Sequence, residues 1–342
     1  MKRRTMFAAV SGAALTQYFL QSALAPSEAV AARFGAASAS DGLVASLQST
    51  TDELRRLDAA GGSGSLAETG RTHLRTLLHL LKHGSYSEQL GQRLAAVAAD
   101  TAAQTGWYTF DGGAPDRAQH LFLGALRAAH SSGDSRLKAA ALGFLAIHAY
   151  SVGDPRDAVT AARAARQTIA GQDAPALNAM LLTRQARGHA KLREEKQVLV
   201  ALEEATELCA RPRGEDDPHW LYWINQGEIL GQTGSCYLEL GHPARAAAAF
   251  ASAHDVLHRA ETRTTAQFLS RAATAQMRDG NVDSGCATAH EVLSLTAEIR
   301  SARLDDHVQT MLREAQAHAN SPAARDLLDR GRDLTTQQRS KT

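Results

Sequence analysis

Between residues 43 and 334 the apolar positions recur at three- and four-residue spacings, and no stretch alternates with period two for long enough to predict a strand. Leu43, Leu47, Leu54 and Leu57 define an amphipathic helix that Gly61-Gly62 ends. Leu74, Leu77, Leu78 and Leu81 mark the apolar side of a second helix over 66–81, broken at Gly84. Further along, the spacing itself repeats. Gly106 is followed by Gly113, Pro115, Ala118, Phe122 and Ala125, and Gly153 by Pro155, Ala158, Ala162 and Ala165. Val198, Leu202 and Ala205 continue the series, then Gly234, Tyr237, Gly241, Pro243, Ala246, Phe250 and Ala253, and last Gly280, Gly285, Ala289 and Val292. The anchors Ala118, Ala158, Val198, Ala246 and Gly285 lie 40, 40, 48 and 39 residues apart. The longer step holds a polar insert over 209–219, with Pro212, Gly214 and the run Glu215-Asp216-Asp217.

A small residue and an aromatic on one helix, followed by Ala-x3-Phe-x2-Ala on the next, is the tetratricopeptide pattern. Small residues let two antiparallel helices approach, and the aromatic fills the space between repeats. Pro115, Pro155 and Pro243 all stand three residues before the first alanine of a second helix, where a missing N–H costs nothing. Asp154, Asp217 and Ser321 precede prolines as N-caps. Segments 301–320 and 323–334 close the array, and 335–342 reads as a polar tail. The expected architecture is an all-α, tetratricopeptide-like helix-pair solenoid of about six or seven pairs over 43–334.

Further motifs carry a resemblance to actinobacterial XRE-like regulators, which join a Cro/CI-type helix-turn-helix to C-terminal tetratricopeptide repeats. These are Leu54-Arg55-Arg56-Leu57-Asp58 with Gly61-Gly62, Gly106-Trp107 with Phe110-Asp111-Gly112, Ser132-Gly133-Asp134, Asp217-Pro218 with Trp220, and Ser301-Ala302-Arg303. Residues 1–42 are the linker or signal-like segment. Arg3-Arg4 and Ala23-Leu24-Ala25 resemble a twin-arginine export signal, whereas Arg3-Arg4-Thr5-Met6-Phe7 resembles the linker that such regulators place before their repeats. No recognition helix with clustered Arg, Lys, Asn or Gln occurs in the sequence, so direct nucleic-acid binding is not expected of this chain. The resemblance implies the sensor or partner-binding half of a regulator, holding a short peptide, small molecule or protein partner. The leading expectation is a cytoplasmic, non-catalytic protein that binds a peptide or protein partner. That partner could itself be a helix-turn-helix regulator. The alternatives are a DNA-binding regulator whose helix-turn-helix is missing from this chain, and an exported scaffold.

Composition narrows the choice. Lys+Arg 37 against Asp+Glu 36 leaves a net charge of +1, which excludes a strongly basic nucleic-acid footprint. The segment over 8–25 holds Ser11, Thr16, Gln17, Gln21 and Ser22, too polar for a membrane span. Cys209, Cys236 and Cys286 are odd in number and unpaired in spacing, as expected of free thiols. His79 and His83, His254 and His258, and Cys286 and His290 share helix faces but lack a third ligand, so no metal and no cofactor is expected. Gly61-Gly62-Ser63-Gly64-Ser65 lacks the lysine of a phosphate loop, and no Gly-x-Ser-x-Gly elbow is present, so no catalytic residue is assigned.

In the tetratricopeptide frame the first helix of each pair lines the concave groove. That places Asp100, Trp107, Tyr150, Thr183, Arg187, Glu228, Gln267 and Ser270 inside, with Asn225 on the side of Glu228. The predicted binding set is Trp107, Tyr150, Arg187, Asn225, Glu228 and Gln267. An inward Asn can pair with both N–H and C=O of an extended peptide, and Arg187 can hold a carboxylate. Tryptophans in helical repeats also pack between helices, and Trp107, Trp220 and Trp223 fit that role. Terminal repeats expose an apolar end face unless capped, so a homodimer is a further expectation.

Overall fold

The computed structural model describes residues 40–63, 66–257, 262–296 and 299–339; residues 1–39 of the linker or signal-like segment and His258 lie outside them. Among the described residues the structure is helical, with fourteen α-helices and no extended strand. The opening helices are α1 (Asp41–Gly61) and α2 (Leu66–His83). The repeats follow as α3 (Glu88–Asp111) with α4 (Pro115–Ser132), α5 (Ser135–Val152) with α6 (Pro155–Thr168), and α7 (Pro175–Lys191) with α8 (Glu195–Cys209). Next are α9 (Gln226–Leu240) with α10 (Pro243–Val256), α11 (Thr262–Arg278) with α12 (Val282–Leu295), and α13 (Ala302–Ala317) with α14 (Pro322–Arg339). This is the expected tetratricopeptide-like solenoid.

The repeat register explains the packing. Pro115, Pro155 and Pro243 each open a second helix, and Ala118, Ala158, Val198 and Ala246 are fully buried beneath them. Gly106 and Gly234 show why the first helices need a small residue. A Cβ at Gly106 would stand 2.5 Å from the Phe122 ring, and one at Gly234 would stand 2.8 Å from Phe250. Packing at interior density leaves no room for that methyl group.

Four local expectations change. Leu57 and Leu78 face solvent, and Leu80 takes the buried place in α2. Helix α14 continues through Arg339, past the expected start of the tail at 335. Asp217 does not cap a helix of its own; only a three-residue 3-10 turn, His219–Leu221, follows it. Its carboxylate instead accepts from the N–H groups of Ala176 (3.1 Å) and Leu177 (2.9 Å), capping α7 from the neighbouring loop. That bond matters because Pro175 opens α7 without a side-chain cap from the residue before it.

Each first helix packs against its partner and against the first helix of the next pair, so α3, α5, α7, α9 and α11 form an inner layer. Helices α4, α6, α8 and α10 stand outside it. The inner layer curves until its ends meet. Arg263 on α11 pairs with Asp58 on α1 at 2.8 Å, the Arg300 N–H donates to the Gly61 carbonyl at 3.4 Å, and Ser301 Oγ donates to Asp111 Oδ1 at 2.8 Å. The solenoid is therefore latched into a ring, with α13 lying across its inner face.

Candidate functional site

The ring interior has two parts, and the sequence-predicted groove residues divide between them. The first part is filled by the chain itself. Helix α1 inserts Arg55, whose guanidinium pairs with Asp100 at 2.7 Å and Asp52 at 2.5 Å and lies over the Trp220 ring, 5.8 Å from its centroid. Gln48 Nε2 adds a bond to Asp100 at 2.9 Å. Trp107 donates from Nε1 to Asp58 at 3.1 Å and carries the guanidinium groups of Arg263 and Arg303 over its ring. Glu228 accepts from Gln232 Nε2 at 2.9 Å and faces Arg184 at 3.9 Å. Arg184 in turn lies over Trp223. The segment just after the polar insert supplies Trp220 and Trp223, and His219 at the end of the insert reaches Asp52 at 3.3 Å. Asp100, Trp107 and Glu228 do face inward, but their polar atoms are held by intramolecular partners.

Asn225 has a different position from the one its spacing suggests. It is the N-cap of α9, and its Oδ1 accepts from the Glu228 N–H at 3.0 Å. A residue in extended conformation before the first turn cannot project from the inner face of the helix it caps. Its Oδ1, one half of the expected peptide clamp, is thereby taken up by the cap.

The second part is an open cavity of about 590 Å³, within the range of sites that hold small ligands. Tyr150, Arg187 and Gln267 from the predicted set line it. The inner helices α5, α7, α9 and α11 form one side, with Phe110 and Pro115 at an end, and Arg303, Asp306, His307 and Thr310 of α13 complete the wall. Arg187 stacks over Tyr150, 5.0 Å from the ring centroid, and donates to Gln232 Oε1 at 3.2 Å. Stacking fixes the planar guanidinium and leaves its edge for a partner.

The electrostatics of this cavity centre on Glu239. Arg187 lies 3.7 Å from its carboxylate, Arg271 3.4 Å and Lys191 3.0 Å. Burial opposes the ionised carboxyl, but Arg187, Arg271 and Lys191 outweigh it and hold Glu239 at about 2. Burial and the adjacent Arg187 bring Arg271 down to about 10. His307 is kept well below the ordinary histidine range, first by burial and then by Arg271, Arg303, Arg187 and Lys191.

Sequence reasoning missed the α13 contribution, because the array's last pair carries no groove signature and its contact is long-range. It also missed Arg271 and Glu239, which lie on inner helices outside the groove frame. Elsewhere His79 and His83 lie with ring centroids 4.8 Å apart, and His290 pairs with Asp326 beside buried Cys286. Among the described residues no group of three or more His, Cys, Asp or Glu could hold a metal ion, and no helix is long and apolar enough to cross a membrane.

No family model and no curated protein matches the sequence. The fold is similar to that in the crystal structure of a Rap protein complexed with competence and sporulation factor, with a TM-score of 0.54 at 13% identity. The likeness covers 86% of this chain and 87% of that one. At that identity it shows the fold alone: this chain is a tetratricopeptide-like helical solenoid.

Proposed function

We propose that the chain is a non-catalytic, cytoplasmic regulator that binds a peptide or protein partner inside its ring. The observation that carries this reading is the cavity between the inner helices and α13, walled by Tyr150, Arg187, Gln267 and Arg303. It joins apolar and ring surface to guanidinium and amide donors, the combination that orients an extended ligand. The Rap protein of similar fold is one complexed with competence and sporulation factor, which supports a ligand in the same kind of solenoid. The XRE-like motifs around Arg55, Trp107 and Arg303 support a role in transcriptional or developmental regulation. A helix-turn-helix regulator sharing the repeats is the partner class they favour.

Capture tests the reading. The full chain is incubated with cytosolic extract, repurified by size exclusion, and its retained ligands identified by mass spectrometry. A peptide retained by the wild type and lost on Arg187→Ala supports the cavity. Retention that ignores Arg187→Ala and Tyr150→Ala together removes the cavity as the binding site.

A further inference from the structure

The cavity holds more positive charge than its own acids neutralise. Its lining carries the cations Arg187, Lys191, Arg271, Arg278 and Arg303 against the carboxylates Glu239 and Asp306. Arg278 is paired outside the cavity with Glu314 at 2.7 Å. The other three inner-helix cations share Glu239 as their carboxylate, while Arg187 also donates to Gln232 and Arg271 to the Ser235 carbonyl. Arg303 enters from α13 and rests on the rings of Trp107 and Phe110, at 4.9 and 5.7 Å from their centroids. It makes no hydrogen bond or ion pair among the described residues. Asp111 lies behind it on α3 as a nearby negative charge: its Oδ1 accepts from Ser301, and its buried Oδ2 has no hydrogen-bond partner among the described residues. Buried Nε atoms of Arg187 and Arg271, and Nε2 of Gln267, also lack an acceptor among the described residues.

A surplus of desolvated guanidinium groups is costly unless something anionic completes it. Guanidinium matches carboxylate in a planar, two-bond geometry, and two or three such groups around one carboxylate make a selective clamp. The remaining walls are not those of a bare ion site. Tyr150, Phe268 and Leu238 give apolar surface, and Gln232, Ser235 and Thr274 give hydrogen-bonding groups suited to backbone amides.

We propose that the cavity takes a short acidic peptide, whose side-chain carboxylate docks between Arg187, Arg271 and Arg303. This rests on the peptide-binding reading above and names the chemistry of its ligand. Glu239 then acts as the resident counter-ion that the incoming carboxylate supplements, and α13 brings Arg303 as the last arm of the clamp.

The test uses the full chain and three fluorescent hexapeptide pools with the same randomised positions and two fixed residues: Glu, Gln or Lys. Anisotropy titrations at low and at physiological salt give the affinities, and unlabelled succinate serves as a competitor. The Glu pool binds about tenfold or more tighter than the Gln pool, the Lys pool binds weakest, and the Glu preference shrinks with salt. Arg303→Gln brings the Glu pool down to the level of the Gln pool, and Lys191→Gln weakens it by a smaller factor. Arg303→Gln gives up the contacts with the Trp107 and Phe110 rings, so its melt is recorded beside the titration; the pool comparison on wild type needs no variant at all. Equal binding of the Glu and Gln pools overturns the acidic ligand while leaving the peptide-binding reading intact. Binding of succinate with no pool bound overturns both, and assigns the cavity to a free small dicarboxylate.

Discussion

Replacing Glu239 with Gln should lower stability and raise affinity for anions at once. In the folded chain Glu239 is held at about 2, against an ordinary value of 4.5, by Arg187, Arg271 and Lys191. One pKa unit is worth about 1.4 kcal/mol, so ionisation of Glu239 contributes about 3 kcal/mol to folding at neutral pH. The folded value is the lower one, so this contribution is fully present above pH 4.5 and is lost as the pH falls toward 2. Its side chain is 23% exposed, which softens the figure. The Gln variant also leaves three cations facing one another. A destabilisation of about 2–3 kcal/mol at pH 7 is expected, read from urea unfolding followed by circular dichroism. The gap should narrow steadily between pH 4.5 and pH 2, where the wild type loses the same charge. Removing the competing carboxylate should tighten binding of the Glu hexapeptide pool. A Gln variant as stable as wild type at pH 7, or a gap unchanged at pH 3, would refute the charge balance drawn for this cavity.

Other positions give independent checks. Arg263→Ala leaves Asp58 charged and buried against Trp107, and should cost about 3–5 kcal/mol, whereas Asp58→Asn with Arg263→Met together should cost less in the same melts. Asn225→Ala removes the α9 cap and should cost about 1 kcal/mol of stability, with peptide affinity nearly unchanged. His73, His148 and His307 all stand below the ordinary histidine value of 6.5, each chiefly through burial. Their unfolded forms take up protons first, so stability is fully present above about pH 6.5 and falls as the pH drops below it. His148→Phe should flatten the loss of thermal midpoint between pH 7.5 and 5.5; an unchanged slope would show that His148 is not held neutral.

The helix pairs were legible because their signals are local. Proline at N1, a small residue opposite an aromatic, and a fixed step between alanines each specify contacts within one repeat or between neighbours. Gly234 against Phe250 is an example: both residues lie in one repeat, and the Cβ clash is visible in the pattern. The groove was half legible for the same reason. Tyr150, Arg187 and Gln267 follow the frame of their helices and line the cavity. Trp107, Asp100 and Glu228 follow it too, but Arg55, Arg263 and Gln232 reach them, and two of those partners come from far along the chain. Ring closure through Asp58, Gly61 and Asp111 has no periodic signature, so neither the latch nor the place of α13 could be read from spacing. Asn225 and Asp217 illustrate a third limit. Both are good N-cap residues in composition, yet which N–H groups they serve depends on loop geometry.

The central claim is that ligand binds inside the ring, between the inner helices and α13. Amide hydrogen exchange of the full chain, with and without saturating Glu hexapeptide, tests it most directly. The account predicts slower exchange in the C-terminal turns of α5, α7 and α9, in the middle of α11 and in the first two turns of α13, with α6, α8 and α10 unchanged. Protection confined to those outer helices, with α13 unaffected, would contradict it.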